Sequence, residues 1–337
     1  MAHLSPGANT EPWHMALLEA QVPFIHSGKV RNTYQLDRCV LLQVATDRLS
    51  IFDFVLPATI PGKGEILTAL TIHWLTTVLF ESDHHLLSSG SNVRFNLPSV
   101  VSKNSDLQKR ALVVQALEMA PVECIARGYL TGSGWKSYNK DHTVCGDHLL
   151  PEGLFDGARL SDPIFTPSTK AEAGHDENIS FEQLVALVGH DVAERLRKQS
   201  LDTFRRGAEY ALERGIIIAD TKLEFSIDGM LGDEVLTPDS SRFWDLHEWE
   251  QSSANRKSPS SYDKEVVRTW GKTVDTPWGK GIQNLDPINI EHLAFVDSLQ
   301  VPPAVIEETL MRYHQIFVRL TGQTLKDFQR DVMKIAA

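Results

Sequence analysis

The stretch 216–244, IIIADTKLEFSIDGMLGDEVLTPDSSRFW, limits the possible folds of this chain more than any other. It opens with Ile-Ile-Ile-Ala, an aliphatic run that is typical of a strand buried in the middle of a sheet. Ionisable side chains then follow at short intervals, namely Asp220, Lys222, Glu224, Asp233, Glu234, Asp239 and Arg242. A buried strand with charge on one face predicts a cleft, because charged groups inside a protein need partners or a ligand.

The end of this strand predicts a β-hairpin with a metal site. Asp228-Gly229 is a strong signal for a two-residue turn, and this turn would place Glu224 directly opposite Asp233. Two opposed carboxylates repel each other, and a divalent cation with oxygen ligands, such as Mg²⁺, would remove the repulsion. Alternation along the strand places Lys222 on the same face as Glu224. We therefore interpret the hairpin as a platform for metal and phosphate; a charged face that only meets solvent is the alternative.

Three other segments contain residue types that bind phosphate or carboxylate groups. In HSGKVRNTY, Gly28 and Lys29 stand at the start of a strand, where glycine lets the backbone approach a phosphate. In ECIARGYLTGSGWKSY, Arg127 precedes a glycine-rich bend with Ser133, a combination that suits a phosphate monoester. In PDSSR, Arg242 follows two hydroxyls. An ordinary turn or helix cap is the alternative for each segment.

The segment 164–180, IFTPSTKAEAGHDENIS, is a long polar connection, and such connections in compact domains are often functional. Lys170 in this segment could meet an anion, and Asp176 could accept hydrogen bonds from sugar hydroxyls. The sequence therefore predicts that this connection borders a binding site.

The overall charge makes negatively charged macromolecules unsuitable partners. The formal net charge is −11, so neither nucleic acid nor an anionic membrane is expected, and an anionic ligand needs a local basic cluster. The three cysteines, Cys39, Cys124 and Cys145, form no Cys-x-x-Cys pair, which suits a reducing compartment. The N-terminal sequence lacks the apolar core of a signal peptide, so we expect a cytoplasmic protein.

The order of the predicted elements indicates the α+β class. Strands are predicted over 30–36, 39–46 and 110–118, the first two as a hairpin. Helical spacing follows over 181–197 and 201–214, and again near the C-terminus. We predict three parts: a β-rich N-terminal lobe (1–118), a central α+β lobe with the metal and substrate sites (119–262), and a helical C-terminal segment packed on the second lobe (263–337).

Taken together, these segments resemble the phosphoribosylaminoimidazole-succinocarboxamide synthase (SAICAR synthetase) family of purine biosynthesis, in its fungal-like, single-function form. The resemblance covers most of the chain from about residue 26 to 270. It is carried by SGKVRNTY, ATDRLSIFDFVLPATIPGKGEILTALTIHWL, VECIARGYLTGSGWKSY, LPEGLFDGARLSDPIFTPSTKAEAGHDENIS, IIIADTKLEFSIDG, LGDEVLTPDSSRFW and SYDKEVVRTW.

The resemblance implies an ATP-dependent amide ligase that joins L-aspartate to 5-amino-1-(5-phosphoribosyl)imidazole-4-carboxylate. It also implies a two-lobed fold with a nucleotide cleft similar to that of protein kinases and ATP-grasp enzymes. The implied cofactors are ATP and Mg²⁺, the partners are small molecules, and a monomer is expected.

The same resemblance implies a role for each candidate residue. The residues for ATP are Gly28, Lys29 and Met119, and those for Mg²⁺ are Glu224 and Asp233. The catalytic cations are Lys222 and Lys170. The residues for the imidazole substrate are Arg127, Ser133, Asp176 and Arg242, and the expected neighbours of L-aspartate are Asp47, Arg48 and Lys63.

Two other functions would use the same residues. A small-molecule kinase would consume ATP without aspartate, and a catalytically silent module would only sense ATP or a purine intermediate. The presence of Lys222, Glu224 and Asp233 together disfavours the silent module, because sensing requires no such set.

Overall fold

The computed structural model describes residues 11–170 and 177–336, which form two main antiparallel sheets with flanking helices. The strands are β1 (Phe24–Ser27), β2 (Arg31–Asp37), β3 (Val40–Ala45), β4 (Arg48–Ile51), β5 (Phe54–Thr59), β6 (Leu86–Ser89), β7 (Ala111–Gln115), β8 (Val122–Leu130), β9 (Thr143–Val144), β10 (His148–Leu149), β11 (Ala158–Phe165), β12 (Ser168–Thr169), β13 (Ile216–Phe225), β14 (Leu231–Gly232), β15 (Ser241–Asp245), β16 (Asp275–Thr276) and β17 (Gly279–Lys280).

The sheets are antiparallel and helices pack beside them, which confirms the α+β class. The helices are α1 (Pro12–Glu19), α2 (Lys63–His73), α3 (Ser99–Ser102), α4 (Ser105–Arg110), α5 (Gly132–Asp141), α6 (Phe181–Val188), α7 (His190–Leu212), α8 (Leu246–Ala254), α9 (Glu265–Thr273), α10 (Ile290–Asp297), α11 (Pro303–Thr321) and α12 (Leu325–Asp331). A π-helical segment (Trp74–Val78) extends α2, and 3-10 turns occupy Gly90–Asn96 and Ile282–Asn284.

The first sheet has the strand order β1-β2-β3-β7-β6. It contains the predicted hairpin of β2 and β3, in which Tyr34 lies opposite Leu42. Both side chains are fully buried in one apolar cluster with Trp13 of α1 and Val113 of β7. The strand predicted over 110–118 is present as β7.

The second sheet has β13 near its middle, as the aliphatic run predicts. Its order is β11-β8-β13-β14, with β15 also paired to β13 and β12 to β8. Asp220 on β13 lies opposite Arg127 on β8 and opposite Arg242 on β15. The strand pairing itself therefore gathers charged residues that are far apart in the sequence.

The predicted register of the hairpin after β13 is wrong by one residue. Glu224 lies opposite Gly232, and the amide of Ser226 donates to the carbonyl of Met230, which leaves three residues in the turn. The amide of Ile227 donates instead to the carbonyl of Glu118. Ile227 therefore leaves the hairpin ladder because a distant segment supplies its hydrogen-bond partner, and this shifts Asp233 out of the position opposite Glu224.

The helices predicted over 181–197 and 201–214 are divided differently in the structure. Gly189, with φ 83° and ψ 157°, separates α6 from α7, and α7 then continues without a break for 23 residues. The polar residues near position 200 do not end the helix, because the Ser200 hydroxyl donates to the Leu196 carbonyl at 2.6 Å.

The C-terminal segment (263–337) packs against both the predicted N-terminal lobe and the predicted central lobe. Val267 of α9 and Val296 of α10 share an apolar cluster with Phe54 of β5. Phe317 of α11 belongs to the main core, which also contains side chains of α2 and β13. The division into three parts stays a prediction. No helix among the described residues has both the length and the apolar character that a membrane crossing requires.

Candidate active site

A cavity of about 280 Å³ lies where β8, β13 and β15 meet the β4–β5 turn and the start of α9. Among the described residues, six basic and four acidic side chains line it, so its formal charge is +2 in a chain of net charge −11. They are Lys29, Arg127, Lys222, Arg242, Lys264 and Arg268, with Asp53, Asp220, Asp239 and Asp263. A locally positive cavity in an acidic protein predicts an anionic ligand.

Asp220 joins two arginines in the wall of this cavity. Its Oδ2 lies 2.8 Å from Arg127 Nη1 and 2.5 Å from Arg242 Nη1. Arg127 also donates to Ser133 Oγ at 2.8 Å and to Thr166 Oγ1 at 2.9 Å. The structure thus brings together three of the predicted substrate residues, Arg127, Ser133 and Arg242, in what we call the arginine clamp.

The two arginines of the clamp differ in their access to a ligand. The side chain of Arg127 is 2% exposed, and burial lowers its pKa although Asp220 acts in the opposite direction. The side chain of Arg242 is 24% exposed. Burial also disfavours the charged form of Arg242, but Asp220 raises the net pKa above its usual value. Arg242 is therefore a permanent cation with space for an anionic ligand.

Both predicted catalytic lysines form ion pairs, and of the two only Lys222 lines the cavity. Lys222 Nζ lies 2.6 Å from Glu123 Oε1, and Lys170 Nζ lies 2.6 Å from Glu224 Oε2. The two lysine side chains are 41% and 45% exposed. Because ion pairs with an exposed partner are weak, either ammonium can exchange its carboxylate for an anionic ligand.

The predicted metal residues Glu224 and Asp233 do not face each other; Asp233 pairs with Arg31, and Glu224 acts on Arg31 only through its charge. Arg31 Nη1 contacts Asp233 Oδ1, and its Nη2 lies 3.0 Å from Glu234 Oε1. Burial disfavours the charged form of Arg31, but Asp233, Glu234 and also Glu224 raise its pKa above the usual value. Burial likewise acts to raise the pKa of Asp233, and Arg31 holds it below the usual value.

These carboxylates fit Mg²⁺ by the chemistry of their donor atoms. Within residues 11–170 and 177–336, no three His, Cys, Asp or Glu side chains are arranged as a metal cage. Mg²⁺ commonly takes only one or two protein carboxylates and completes its shell with water and phosphate oxygens. The side chains of Glu224 and Asp233 are 19% and 30% exposed, so their oxygens are accessible to such a complex.

The residues predicted for ATP occupy different surroundings. Lys29 lines the cavity beside the arginine clamp and donates to Asp53. The amide of Gly28 donates to the carbonyl of Arg31 at 2.7 Å, which closes a tight turn before β2. Met119 pairs with Ser226, the residue that follows β13, in an isolated antiparallel β-bridge. The remaining predicted substrate residue, Asp176, lies outside the described residues.

A buried ionic network behind the cavity was not predicted. Asp239, whose side chain is 1% exposed, lies 2.7 Å from Lys63 Nζ and 3.2 Å from Lys264 Nζ, and it accepts a hydrogen bond from Tyr313 at 2.7 Å. Burial acts to raise the pKa of Asp239, but the two lysines hold it well below the usual range. Lys63, an expected neighbour of L-aspartate, is fully buried here and serves the network.

Asp47 and Arg48, the other expected neighbours of L-aspartate, also have structural partners. Asp47 accepts hydrogen bonds from the amides of Gly62 and Gly64 at 3.1 and 2.9 Å, at the N-terminus of α2. Arg48 donates to the carbonyl of Gly28 at 2.9 Å. Neither side chain lines the cavity, and both belong to the described part of the chain.

The motif SYDKEVVRTW supplies three cavity residues to which sequence reasoning gave no role: Asp263, Lys264 and Arg268. Asp263 lies 3.6 Å from Arg268 and accepts a hydrogen bond from the Glu265 amide. The signal that could have identified them is the charged Asp-Lys pair just before an amphipathic helix, with an arginine one turn further on.

Comparison with known proteins shows the family of this chain. Residues 24–285 match the model of the SAICAR synthetase family. The phosphoribosylaminoimidazole-succinocarboxamide synthases of Streptomyces avermitilis and Thermobifida fusca are 44% and 45% identical, over 90% and 89% of this chain and 95% and 91% of their own. The structure of the SAICAR synthase from Saccharomyces cerevisiae, complexed with SAICAR, is 36% identical with a TM-score of 0.73, over 90% of this chain and 96% of that chain. This chain belongs to the SAICAR synthetase family.

Proposed function

We propose that this chain joins L-aspartate to the carboxylate of 5-amino-1-(5-phosphoribosyl)imidazole-4-carboxylate at the expense of ATP. The products are the succinocarboxamide, ADP and phosphate, in a step of purine biosynthesis. The observation that carries the proposal is the arginine clamp in a positive cavity, held by Asp220 on the same strand as Lys222 and Glu224. The similarity to the yeast enzyme, which was solved with SAICAR, supports this substrate class.

The first step activates the carboxylate. A carboxylate is a poor electrophile, so its oxygen attacks the γ-phosphorus of ATP, ADP leaves, and an acyl phosphate forms. Positioning and positive charge are the main requirements of such a transfer. In this proposal Arg127, Ser133 and Arg242 hold the phosphoribosyl imidazole, while Lys222 neutralises the transferring phosphoryl group. Lys29 contacts the ATP phosphates.

No protein nucleophile is needed, and the buried cysteines are unsuited to that role. Burial raises the pKa of Cys124 to about 12 and that of Cys145 to about 11. Because the thiolate is the reactive form, these thiols are inert near neutral pH. The amine of L-aspartate attacks the acyl phosphate in the second step, and phosphate leaves.

We also propose that Glu224 and Asp233 hold Mg²⁺, with Lys170 close to Glu224, and that backbone near Met119 meets adenine. The metal, when bound, would supply positive charge to the triphosphate. In the structure, Arg31 pairs with Asp233 and Lys170 pairs with Glu224. We further propose a cytoplasmic enzyme whose partners are these small molecules.

A coupled measurement of ADP release tests the proposed function. ADP should appear with Mg²⁺ and ATP only when both the imidazole carboxylate and L-aspartate are present, and one amide should form for each ADP. ADP release that proceeds at the same rate without L-aspartate would indicate a small-molecule kinase. Tight ATP binding without turnover would indicate a sensor.

A further inference from the structure

The turn between β4 and β5 has an unusual backbone. Phe52 and Asp53 are the two residues of this hairpin turn, and both have left-handed backbones, with φ of 50° and 68°. Such a turn normally contains Asn or Gly, because a side chain disfavours this conformation, most of all a bulky one such as Phe. Backbone conformations of this kind persist where surrounding contacts enforce them, and they concentrate at functional sites.

Helix α9 enforces the conformation of this turn. A Cβ at Gly271 would lie 2.7 Å from Ile51 Cδ1 and 3.3 Å from the ring of Phe52, so only a glycine lets α9 approach so closely. Phe52 packs on an apolar cluster that includes Val267 of α9. With Phe52 fixed in this way, the next residue, Asp53, lines the cavity.

Asp53 differs from the other acidic side chains of the cavity. Asp220 is held by the two arginines of the clamp, Asp239 is 1% exposed between two lysines, and Asp263 is 2% exposed beside Arg268. Asp53 is 24% exposed, and Lys29, with which it pairs, is 41% exposed. Asp53 is therefore the cavity carboxylate that can exchange its cation for part of a ligand.

The cation that Asp53 holds is a primary ammonium, because Lys29 Nζ donates to Asp53 Oδ1. L-aspartate has the same group at its α-carbon, and Lys264 and Arg268 line the same cavity with charges that suit its carboxylates. We propose that Asp53 binds the α-ammonium of L-aspartate and accepts the proton that this group must lose before it can attack. This inference rests on the proposed function and adds a catalytic residue to it.

The step balances in atoms and charge. The ammonium transfers one proton to Asp53 and becomes a neutral amine with a free electron pair. The amine nitrogen forms a bond to the acyl carbon, and the bond from that carbon to the phosphate oxygen breaks. The departing phosphate takes the second nitrogen-bound proton, which leaves the amide N–H, and Asp53 releases its own proton to solvent. Lys29, freed from Asp53, can turn to the phosphates of ATP.

The test compares L-aspartate with succinate, which has the same carboxylates but no ammonium. Asp53→Asn keeps the shape of the side chain, and Asn tolerates the left-handed backbone. We expect the KM for L-aspartate to rise about 10- to 100-fold, as for loss of a charged hydrogen bond, while the inhibition constant of succinate stays within about twofold. We expect kcat to fall by about 10²-fold or more, as for loss of a general base.

A second variant tests proton transfer separately. Asp53→Gly keeps the turn and leaves space, so added formate should restore part of its kcat, whereas Asp53→Asn should not respond. Asp191→Asn, at a side chain that is 98% exposed, is the matched control and should behave as wild type. Equal weakening of succinate and L-aspartate, or an unchanged kcat/KM for L-aspartate in Asp53→Asn, would overturn the inference. A wild-type chain that forms no amide would refute the proposed function instead.

Discussion

Arg127 and Arg242 share Asp220 but should respond differently to substitution. Arg242→Ala removes an accessible cation and should raise the KM for the imidazole substrate about 10- to 100-fold, with the KM for ATP within about twofold. Arg127→Ala removes one of the two arginines that hold the buried Asp220, together with a fully buried side chain, so it should mainly lower the free energy of unfolding, by about 3 kcal/mol. Steady-state kinetics and urea unfolding separate the two effects. An equal rise of both KM values in Arg242→Ala would contradict its assignment to the imidazole substrate.

Glu224 and Asp233 should determine the metal requirement. Glu224→Gln and Asp233→Asn each remove a charged oxygen ligand but keep the side-chain shape. We expect the Mg²⁺ concentration for half-maximal binding of an ATP analogue to rise about tenfold or more, and kcat to fall strongly. Calorimetric titration of Mg²⁺ with the analogue measures this. Glu182→Gln, at an exposed position of α6, is the control. Normal Mg²⁺ dependence in both site variants would exclude the metal role.

Sequence reasoning predicted the arginine clamp but not the ionic network of Asp239. Arg127 and Arg242 stand beside glycines and hydroxyls that already suggest an anion site within a few residues of sequence. The partners of Asp239, in contrast, are Lys63, Lys264 and Tyr313, which belong to three distant segments. Nothing local in the sequence indicates such a pairing, because it depends on how α2, α9 and α11 pack.

Helix α7 shows how packing reverses an intrinsic preference. Gly207 lies inside this helix, where alanine normally stabilises by about 1 kcal/mol. A Cβ at Gly207 would lie 2.4 Å from Leu236 Cδ1, and the Leu236 side chain is fully buried, so it could move away only by displacing core neighbours. Gly207→Ala should therefore lower the free energy of unfolding by about 1–2 kcal/mol, because overpacking outweighs the helical gain.

Urea unfolding measures this change. Asp202→Ala, on the same helix with a side chain that is 49% exposed, should stay within about 0.5 kcal/mol of wild type. A Gly207→Ala protein more stable than wild type would show that the contact between α7 and Leu236 is looser than the structure indicates.

For the hairpin after β13, the local sequence predicts the strand but not the register of its pairing. The strand, its buried character and its charged face all follow from local sequence. The register does not, because the carbonyl of Glu118 binds the Ile227 amide, and the three-residue turn follows from that contact. The contact with Glu118, which lies between β7 and β8, thus decides where Glu224 and Asp233 lie relative to each other.

The C-terminal segment both packs in apolar clusters and supplies residues to the cavity wall. α9 packs on the β4–β5 turn and starts with the motif that brings Lys264 and Arg268 to the cavity wall. Tyr313 of α11 donates to Asp239, which also binds Lys63 at the start of α2. The sequence predicted a helical segment here, but it did not predict that this segment helps to build the site.

Stability of the whole chain should fall on acidification through buried histidines such as His73. Its side chain lies among the rings of Trp74, Tyr210 and Phe328, and burial, with the charge of Arg214, lowers its pKa to about 4. The unfolded chain then binds more protons between pH 4 and 6.5, so stability present at neutral pH is lost as pH falls through this window.

Urea unfolding at two pH values tests this. Between pH 7 and pH 5, His73 should contribute a loss of about 2 kcal/mol. His73→Phe keeps the ring contacts but cannot bind a proton, so its loss over the same interval should be smaller than that of wild type by this amount. Identical losses in the two proteins would mean that His73 titrates normally in the folded state.

Transfer of labelled oxygen decides whether the cavity activates the carboxylate as an acyl phosphate. The imidazole substrate is prepared with ¹⁸O in its carboxylate and converted with unlabelled ATP and L-aspartate, and the released phosphate is examined by mass spectrometry. We predict that each amide formed is accompanied by one labelled oxygen in the inorganic phosphate. Amide formation with unlabelled phosphate would contradict the account, because the carboxylate oxygen would then have left by another route.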